Sequence, residues 1–371
     1  MHPIDTTNTK KSILPSPPSS PIKCNNSSKR KRALSLSFIQ NTSVEPIKKC
    51  KFNYLEPYLA TSSSPNQRDH QYNRSLLSWA CIARSVEKVK ELMSNVHLDI
   101  NMKSGPSQTT ALHEAAFIGF EQGIHLLLKH SEIDLNITDQ LGQTALHYAV
   151  QRNQVSSLRV LLAAGARLDL SCTHGRLPIH TAAMYGFEKC IELLLSHRQC
   201  HSNNPSELDI LWTKERLNNQ SVVECAVVRG YDRQLQRLLD VDTTLEHKRR
   251  KELIELAVHW NRQDCLQSLI RRGCPLTDNC LLVAVQQRKI DLVRILSAAG
   301  ANPCLDNGQN PSFLYTANHG FLEMIPFVFT LSTSKDCIQQ ALFLASSIGM
   351  HEKLRIAISH TLQTLLSKKS L

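Results

Sequence analysis

The sequence predicts an all-α solenoid of about nine helical hairpins with short projecting loops, because three kinds of residue recur in one register. A small residue inside a helical pattern defines the register. Four residues after it, Gly or Asn fills seven of nine places, and twelve residues after it, Leu fills seven of nine. The small residues are Ala80, Ala115, Ala149, Ala182, Ala226, Ala257, Ala284, Thr316 and Ala345, at spacings of 35, 34, 33, 44, 31, 27, 32 and 29.

Each of these columns has a physical role. The small residues, which we call the anchor column, allow neighbouring first helices to stack closely. Gly and Asn tolerate the left-handed conformation that ends the first helix, and we call their positions the turn column. The leucine column forms the apolar stripe of the second helix. A hairpin of this length cannot bury its own apolar face, so we expect it to be stable only in a stack.

The composition agrees with a helical stack and favours an intracellular protein. Hydrophobic residues make up 42% of the chain but aromatic residues only 5%, as expected for a close-packed core of Leu, Ala, Val and Ile. No run of about 20 apolar residues predicts a membrane span. The proline-rich N-terminus does not resemble a secretion signal. Four cysteines fall in helical patterns and are predicted to be reduced core residues, namely Cys81, Cys190, Cys225 and Cys265.

The basic charge of the chain is concentrated near its N-terminus. Residues 1–72 hold 11 Lys and Arg against 4 Asp and Glu, whereas the other 299 residues hold 32 against 28. Residues 1–72 are rich in Ser, Pro, Asn and Thr, which bury too little apolar surface to offset the entropy of ordering. We therefore predict a disordered tail over 1–72 and a solenoid over 73–361. Residues 362–371 are predicted to be a C-terminal cap or a fraying helix.

Two basic clusters in the predicted tail are similar to nuclear import signals. The alternatives are a solvated charged linker and a patch that attracts nucleic-acid phosphates. Import implies a nuclear protein that can shuttle to the cytoplasm, with an import receptor as a partner. The clusters comprise Lys29, Arg30, Lys31 and Arg32, and Lys48, Lys49 and Lys51.

Candidate phosphorylation sites lie around these clusters. Ser16, Ser20 and Ser64 each precede a proline, as proline-directed kinases require, and Ser35 follows Arg32 by three residues. A phosphate on Ser35 adds nearly two negative charges beside four cations. We therefore expect phosphorylation of Ser35 to mask the first basic cluster.

The central units carry a more specific motif. Thr110-Ala111-Leu112-His113, Thr144-Ala145-Leu146-His147 and Leu177-Pro178-Ile179-His180 resemble the Thr-Pro-Leu-His signature of ankyrin repeats. The resemblance is strongest over 105–200 and degenerates after about 306. It implies that Thr caps the first helix and that His bonds within and between units, so the histidines are expected to be structural.

Two irregularities interrupt the register. The 44-residue spacing includes an insertion with Leu211 and Trp212, which either docks a partner or folds back over the neighbouring hairpin. The 27-residue spacing leaves room only for a tight turn at 271–275. His197, Cys200 and His201 lie close together in sequence, but their spacing fits no zinc site.

No residue pattern indicates catalysis, a cofactor or a metal, so we expect a non-enzymatic scaffold that binds proteins. An ankyrin stack presents its loop tips and first helices as a concave binding surface. The expected partner-binding residues are Thr138, Asp139, Gln140, Thr173, His174, Arg176 and Trp212.

Two functions are compatible with such a scaffold. The basic tail before a compact array resembles the layout of the nuclear inhibitor-of-kappaB-like group, which implies a regulator that binds a transcription factor or chromatin protein. The alternative is a substrate-recognition adaptor of a cullin-type ubiquitin ligase, although the C-terminal helices lack the Leu-Pro motif of the receptor box. Direct nucleic-acid binding is not expected, because the solenoid has a net charge of only +4.

Overall fold

A computed structural model describes residues 64–201, 211–241, 247–277, 279–304 and 309–369. Both basic clusters lie outside these ranges, as do Ser16, Ser20, Ser35 and most of the predicted disordered tail. Ser64 is exposed at the start of the first range.

The described residues form eighteen α-helices and no strand, arranged as nine consecutive pairs. The first helices of the pairs are α1 (Leu76–Ile82), α3 (Ala111–Ile118), α5 (Ala145–Gln151), α7 (Pro178–Tyr185), α9 (Val222–Arg229), α11 (His247–His259), α13 (Cys280–Gln286), α15 (Pro311–His319) and α17 (Lys335–Ser347). The second helices are α2 (Val86–Met93), α4 (Glu121–Leu127), α6 (Val155–Ala163), α8 (Glu188–His201), α10 (Asp232–Val241), α12 (Gln263–Arg271), α14 (Ile290–Ala298), α16 (Ile325–Val328) and α18 (His351–Lys369).

The pairs stack in chain order, and we number them as units one to nine. Each first helix contacts the first helix of the next unit, and each second helix contacts the next second helix. All nine anchor residues are fully buried, as the stacking of first helices requires. The predicted helical solenoid is therefore confirmed.

The turn column adopts one backbone conformation throughout. All nine residues have positive φ, between 54° and 79°. The amide of the following residue donates to the carbonyl of the anchor residue in every unit, at 2.8–3.1 Å. This hydrogen bond closes each first helix.

Two arginines occupy the turn column where the sequence pattern predicts Gly or Asn. Arg84 and Arg288 have φ of 56° and 55°, a conformation that costs a residue with a Cβ roughly 1–2 kcal/mol. Both side chains reach the next unit. Arg84 donates to the carbonyls of Ile118 and Gly119, and the Arg288 guanidinium lies 4.4 Å from the ring centre of Phe321. These contacts offset the cost of the left-handed backbone.

The leucine column lies in the core as predicted. Eight of its nine positions are buried, and only Ala357 in unit nine is half-buried. Where the signature has degenerated, other residues cap the helices. In unit five, Glu224 accepts the amide of Ser221 at 2.7 Å, and in unit eight Asn310 accepts the amide of Phe313 at 2.9 Å.

Residues just before 73, where the sequence placed the start of the solenoid, already contact the first two units. The Asn66 side chain donates to the carbonyl of His97 at 2.7 Å, and Arg68 donates to the carbonyl of Lys103 at 2.9 Å. Asp69 is 5% exposed and accepts two backbone amides. These residues form the loop that leads into α1. The polar composition of this short segment does not indicate these contacts with the repeats.

Both irregularities have a structural explanation. Leu211 is buried, and Trp212 packs against the core with the Arg249 guanidinium 4.9 Å from its ring centre. This arrangement agrees with the fold-back alternative, although residues 202–210 of the insertion lie outside the described part. At the short spacing, Gly273 has φ of 71° and Cys274 donates to the carbonyl of Leu269, which forms the expected tight turn.

The four cysteines that the sequence places in helices are all buried free thiols. Burial raises the pKa of Cys190 to about 11 and those of Cys225 and Cys265 to about 12. Such thiols remain protonated near neutral pH and act as small apolar core residues.

Candidate partner-binding surface

The loops that lead into the first helices of units one to five are joined side by side. We call these loops the fingers, and they span residues 66–74, 103–109, 138–143, 171–176 and 213–220. A backbone hydrogen bond of 2.7–3.1 Å links each finger to the next. The donor and acceptor pairs are Gly105 to Asn73, Gln140 to Ser107, Thr173 to Leu141, and Arg216 to His174. The five fingers therefore form one continuous row.

A buried carboxylate holds the finger of unit three. Asp139 is 6% exposed, and its Oδ1 accepts the amides of Leu141 and Gln143 at 2.8 and 2.7 Å. Its Oδ2 accepts the Tyr148 hydroxyl at 2.8 Å. Asp139 is thus a supporting residue inside the finger, which corrects its prediction as an exposed contact residue. A turn carboxylate that accepts backbone amides is drawn beneath the turn, away from the tip.

Equivalent acids support other fingers. Asp69 accepts the amides of Tyr72 and Arg74 in unit one. Glu215 of unit five is 1% exposed, and it accepts Arg176 and the Asn218 side chain. The half-buried guanidinium of Arg176 therefore forms an ion pair that ties the fingers of units four and five together, whereas the sequence predicted an exposed contact residue.

The three signature histidines couple each unit to the next, as the resemblance implies. Nδ1 of His147 accepts the amide of Thr144 at 3.1 Å, and Nε2 lies 3.0 Å from the carbonyl of Arg176 in unit four. Because the carbonyl can only accept, Nε2 carries the proton. His113 and His180 make the same pair of bonds within their own unit and to the next.

Burial keeps these histidines neutral. All three are at most 1% exposed. Burial lowers the pKa of His147 to about 4, and it also lowers the pKa of His113 and of His180. The hydrogen bond from each Nε2 to a carbonyl opposes this effect only in part. The three histidines therefore stabilise the folded stack, and their lowered pKa values do not suit acid–base chemistry near neutral pH.

The ends of the first helices extend the surface formed by the fingers. Gln151 donates to Gln143 of its own finger at 2.9 Å, and the Arg152 guanidinium lies 4.2 Å from the ring centre of Phe117 in the unit before. Phe117 also contacts Tyr148, whose hydroxyl reaches the finger. We call the fingers and these helix ends of units one to five the finger face.

The third position after each anchor residue was not among the predicted contact residues. In units two to six it carries bulky or basic side chains that are exposed or half-buried. Tyr, Trp and Arg dominate the energetics of many protein interfaces. The anchor register could have located these positions, which are Ile118, Arg152, Tyr185, Arg229 and Trp260.

The remaining predicted contact residues divide into two groups. Thr138, Gln140, Thr173 and His174 lie on the fingers and are exposed or half-buried. Trp212 instead packs against the core beside Arg249. Among the described residues, no three His, Cys, Asp or Glu side chains form a group suited to a metal ion. No described helix is long and apolar enough to cross a membrane.

Replacing Asp139 with alanine is expected to loosen the finger of unit three and to lower the free energy of unfolding by about 2 kcal/mol. The substitution removes three hydrogen bonds to a charged group, each typically contributing about 1.5–3 kcal/mol, partly regained by hydration of the freed donors. Hydrogen exchange is expected to accelerate at the amides of Leu141 and Gln143. The neighbouring substitution Q140A, at an exposed tip, serves as the control. Unchanged exchange in D139A would contradict the supporting role.

The family model described as ankyrin repeats (3 copies) matches residues 48–139 and 119–206. The chain is 28% identical over 184 residues to the nuclear factor NF-kappa-B p105 subunit of Gallus gallus, covering 47% of this chain and 18% of that protein. It is 28% identical over 151 residues to a putative ankyrin repeat protein of Rickettsia bellii, covering 40% and 81%. It is also 28% identical over 142 residues to the E3 ubiquitin-protein ligase KEG of Arabidopsis thaliana, covering 37% and 9%.

The stacked hairpins, the bridging histidines and these similarities together define the class. Residues 48–206 match ankyrin repeats, and these findings support an ankyrin-repeat protein. Ankyrin repeats imply a scaffold for protein–protein interaction. The chain spans only about a fifth of the length of the p105 relative, so the activity of that whole protein does not transfer with the repeats.

Proposed function

We propose that this protein is a non-enzymatic nuclear regulatory scaffold that binds a transcription factor or a chromatin protein through the finger face. The observation that supports this proposal is the row of hydrogen-bonded fingers. Loops that are fixed before binding lose little conformational entropy when a partner docks. The row spans five units, which offers a partner a long continuous surface.

The nuclear part of the proposal rests on two further observations. The sequence has two clusters of Lys and Arg that resemble import signals, at 29–32 and 48–51. The repeats are similar to those of a relative whose name describes a nuclear factor. The similarity to a ubiquitin-protein ligase keeps the adaptor function as the competing proposal.

Affinity capture from nuclear and cytosolic extracts tests this function. The baits are the full chain, a tip variant with Q140E and T173E, and a control variant with Q122E and Q267E, exposed positions on α4 and α12. We expect the parent and the control to retain DNA-binding or chromatin proteins from the nuclear extract, and the tip variant to lose them. Recovery of cullin and its adaptor subunits, or of the same proteins on all three baits, would contradict the proposal.

A further inference from the structure

The acidic and basic residues of the finger face differ in exposure. Five acids belong to the fingers and first helices of units one to five, and all are at most 6% exposed. Six cations on the same face are exposed. The acids are Asp69, Glu114, Asp139, Glu215 and Glu224, and the cations are Arg68, Lys103, Arg152, Lys214, Arg216 and Arg229.

The buried acids are occupied within the protein. Glu114 accepts Arg74 and the Thr109 hydroxyl, and Glu224 accepts the backbone amide of Ser221 and pairs with Lys214. Asp69, Asp139 and Glu215 hold the fingers, as described above. A docking partner therefore makes little direct contact with these carboxylates. Each acid nevertheless lowers the net charge that is counted from the sequence.

Two of the exposed cations have partners within the protein, because Lys214 lies 3.5 Å from Glu224 and Arg68 donates to the carbonyl of Lys103. The other four lack a carboxylate partner among the described residues. Within the described ranges, no carboxylate lies within 4 Å of the charged nitrogens of Lys103, Arg152, Arg216 or Arg229. Arg152 lies over Phe117, and Arg216 is 3.4 Å from the carbonyl of Thr173. Exposed acids do occur just before a finger, as at Asp134, but the described residues place none in the fingers or at the first-helix ends of units one to five. The finger face is thus positive, although the solenoid as a whole is nearly balanced.

We infer that the finger face binds an extended acidic protein segment with apolar residues between its acids. Stacked helices lie roughly 8–10 Å apart, and an extended chain rises about 3.3 Å per residue. One acid in about every three residues therefore matches the distance from one unit to the next. Phe117, Ile118 and Tyr185 are half-buried between the cations and can receive the intervening apolar side chains.

The same face fits nucleic acid less well. Duplex DNA carries one charge per about 1.7 Å, so a few cations spread over five units would leave most phosphates without a partner. The apolar side chains between the cations gain more from aliphatic and aromatic residues than from a sugar–phosphate backbone. This inference rests on the proposed function because both use the finger face as the binding surface. It specifies the chemistry of the partner, whereas the proposed function specifies the nucleus as its location.

A defined peptide tests the inference on the full chain. The probe is a fluorescent 16-residue peptide with an Asp or Glu at every third position and Leu, Phe and Ser between, and its control has Asn and Gln in place of the acids. The charge-reversed variant carries R152E, R216E and R229E. The matched control carries K129E, R159E and K189E, exposed positions on or next to the second helices, and has the same net charge.

Fluorescence anisotropy is expected to give at least tenfold weaker binding of the acidic peptide to the charge-reversed variant, and less than a twofold change for the matched control. The control peptide with Asn and Gln is expected to bind the parent protein at least tenfold more weakly than the acidic peptide does. Equal binding of both peptides, or equal binding by the parent and the charge-reversed variant, would overturn the inference. So would a 16-nucleotide single strand that displaces the peptide at equal concentration and depends on the same arginines.

The two proposals fail in different ways. If the peptide binds as expected but extract capture yields no nuclear factor, the nuclear function fails and the partner chemistry stands. If nuclear factors are captured and the tip variant loses them while the charge-reversed variant keeps them, the partner chemistry fails and the function stands.

Discussion

Replacing Leu161 with alanine is expected to lower the free energy of unfolding by about 3–4 kcal/mol, which lies within the usual range for a fully buried leucine. Leu161 belongs to the leucine column of α6 and is completely buried. Unit three packs between units two and four, and in a repeat array each unit is stabilised by its neighbours. Chemical denaturation is therefore expected to show a lower midpoint and a broader transition, as units on either side of unit three lose their coupling.

The matched control for this substitution is L217A. Leu217 lies on the finger of unit five and is 54% exposed, so its loss is expected to cost less than about 0.5 kcal/mol. Similar midpoints for L161A and L217A would show that the leucine column does not form the core. Circular dichroism at 222 nm, followed through a urea titration, makes the comparison directly.

Acidification below neutral pH is expected to destabilise the array through its signature histidines. In the unfolded chain a histidine takes up its proton near pH 6.5. In the folded chain burial lowers the pKa of His147 to about 4. The unfolded state then binds more protons between these two values, so stability is fully present above pH 6.5 and is lost as the pH falls toward 4.

The expected loss is large because the effect is repeated. His147 alone contributes about 3 kcal/mol over this range, and His113 and His180 act in the same direction, since burial also lowers their pKa. Urea titrations at several pH values between 7 and 5 measure the slope. Stability that stays constant across this range would contradict the neutral buried histidines.

Two variants separate this titration from a general loss of stability. In H147Q, the Gln side chain can accept the amide of Thr144, as Glu224 accepts the amide of Ser221 in unit five. Its slope with pH is expected to be smaller than that of the parent. L161A is expected to be less stable at every pH but to keep the slope of the parent. Equal slopes for the parent and H147Q would assign the pH dependence to other groups.

The stacking of the hairpins could be predicted from the sequence because its requirements recur along the chain. A small anchor, a left-handed turn and a buried leucine are needed once in every unit, and Ala149, Asn153 and Leu161 satisfy them in unit three. The two arginines of the turn column could not be predicted in the same way. Arg84 and Arg288 tolerate the strained backbone through contacts with the following unit, which appear only after folding.

The binding surface was less accessible to sequence reasoning. Asp139 looks like a polar tip residue, and only the folded finger brings the amides of Leu141 and Gln143 onto its carboxylate. The net charge likewise counts Glu215 and Arg216 as cancelling, although one is buried and the other exposed. Periodicity reports which positions repeat, whereas the sign of a surface depends on which charges folding removes from water.

The bond from histidine Nε2 to a carbonyl has a consequence for how the array would yield under tension. It runs from unit two to three, from three to four and from four to five, and then Glu224 takes the histidine position and bonds within its own unit. Pulled from its two ends, the chain is therefore expected to lose units six to nine at lower force than units two to five. An optical trap would record this as a weak early rip followed by a stronger one.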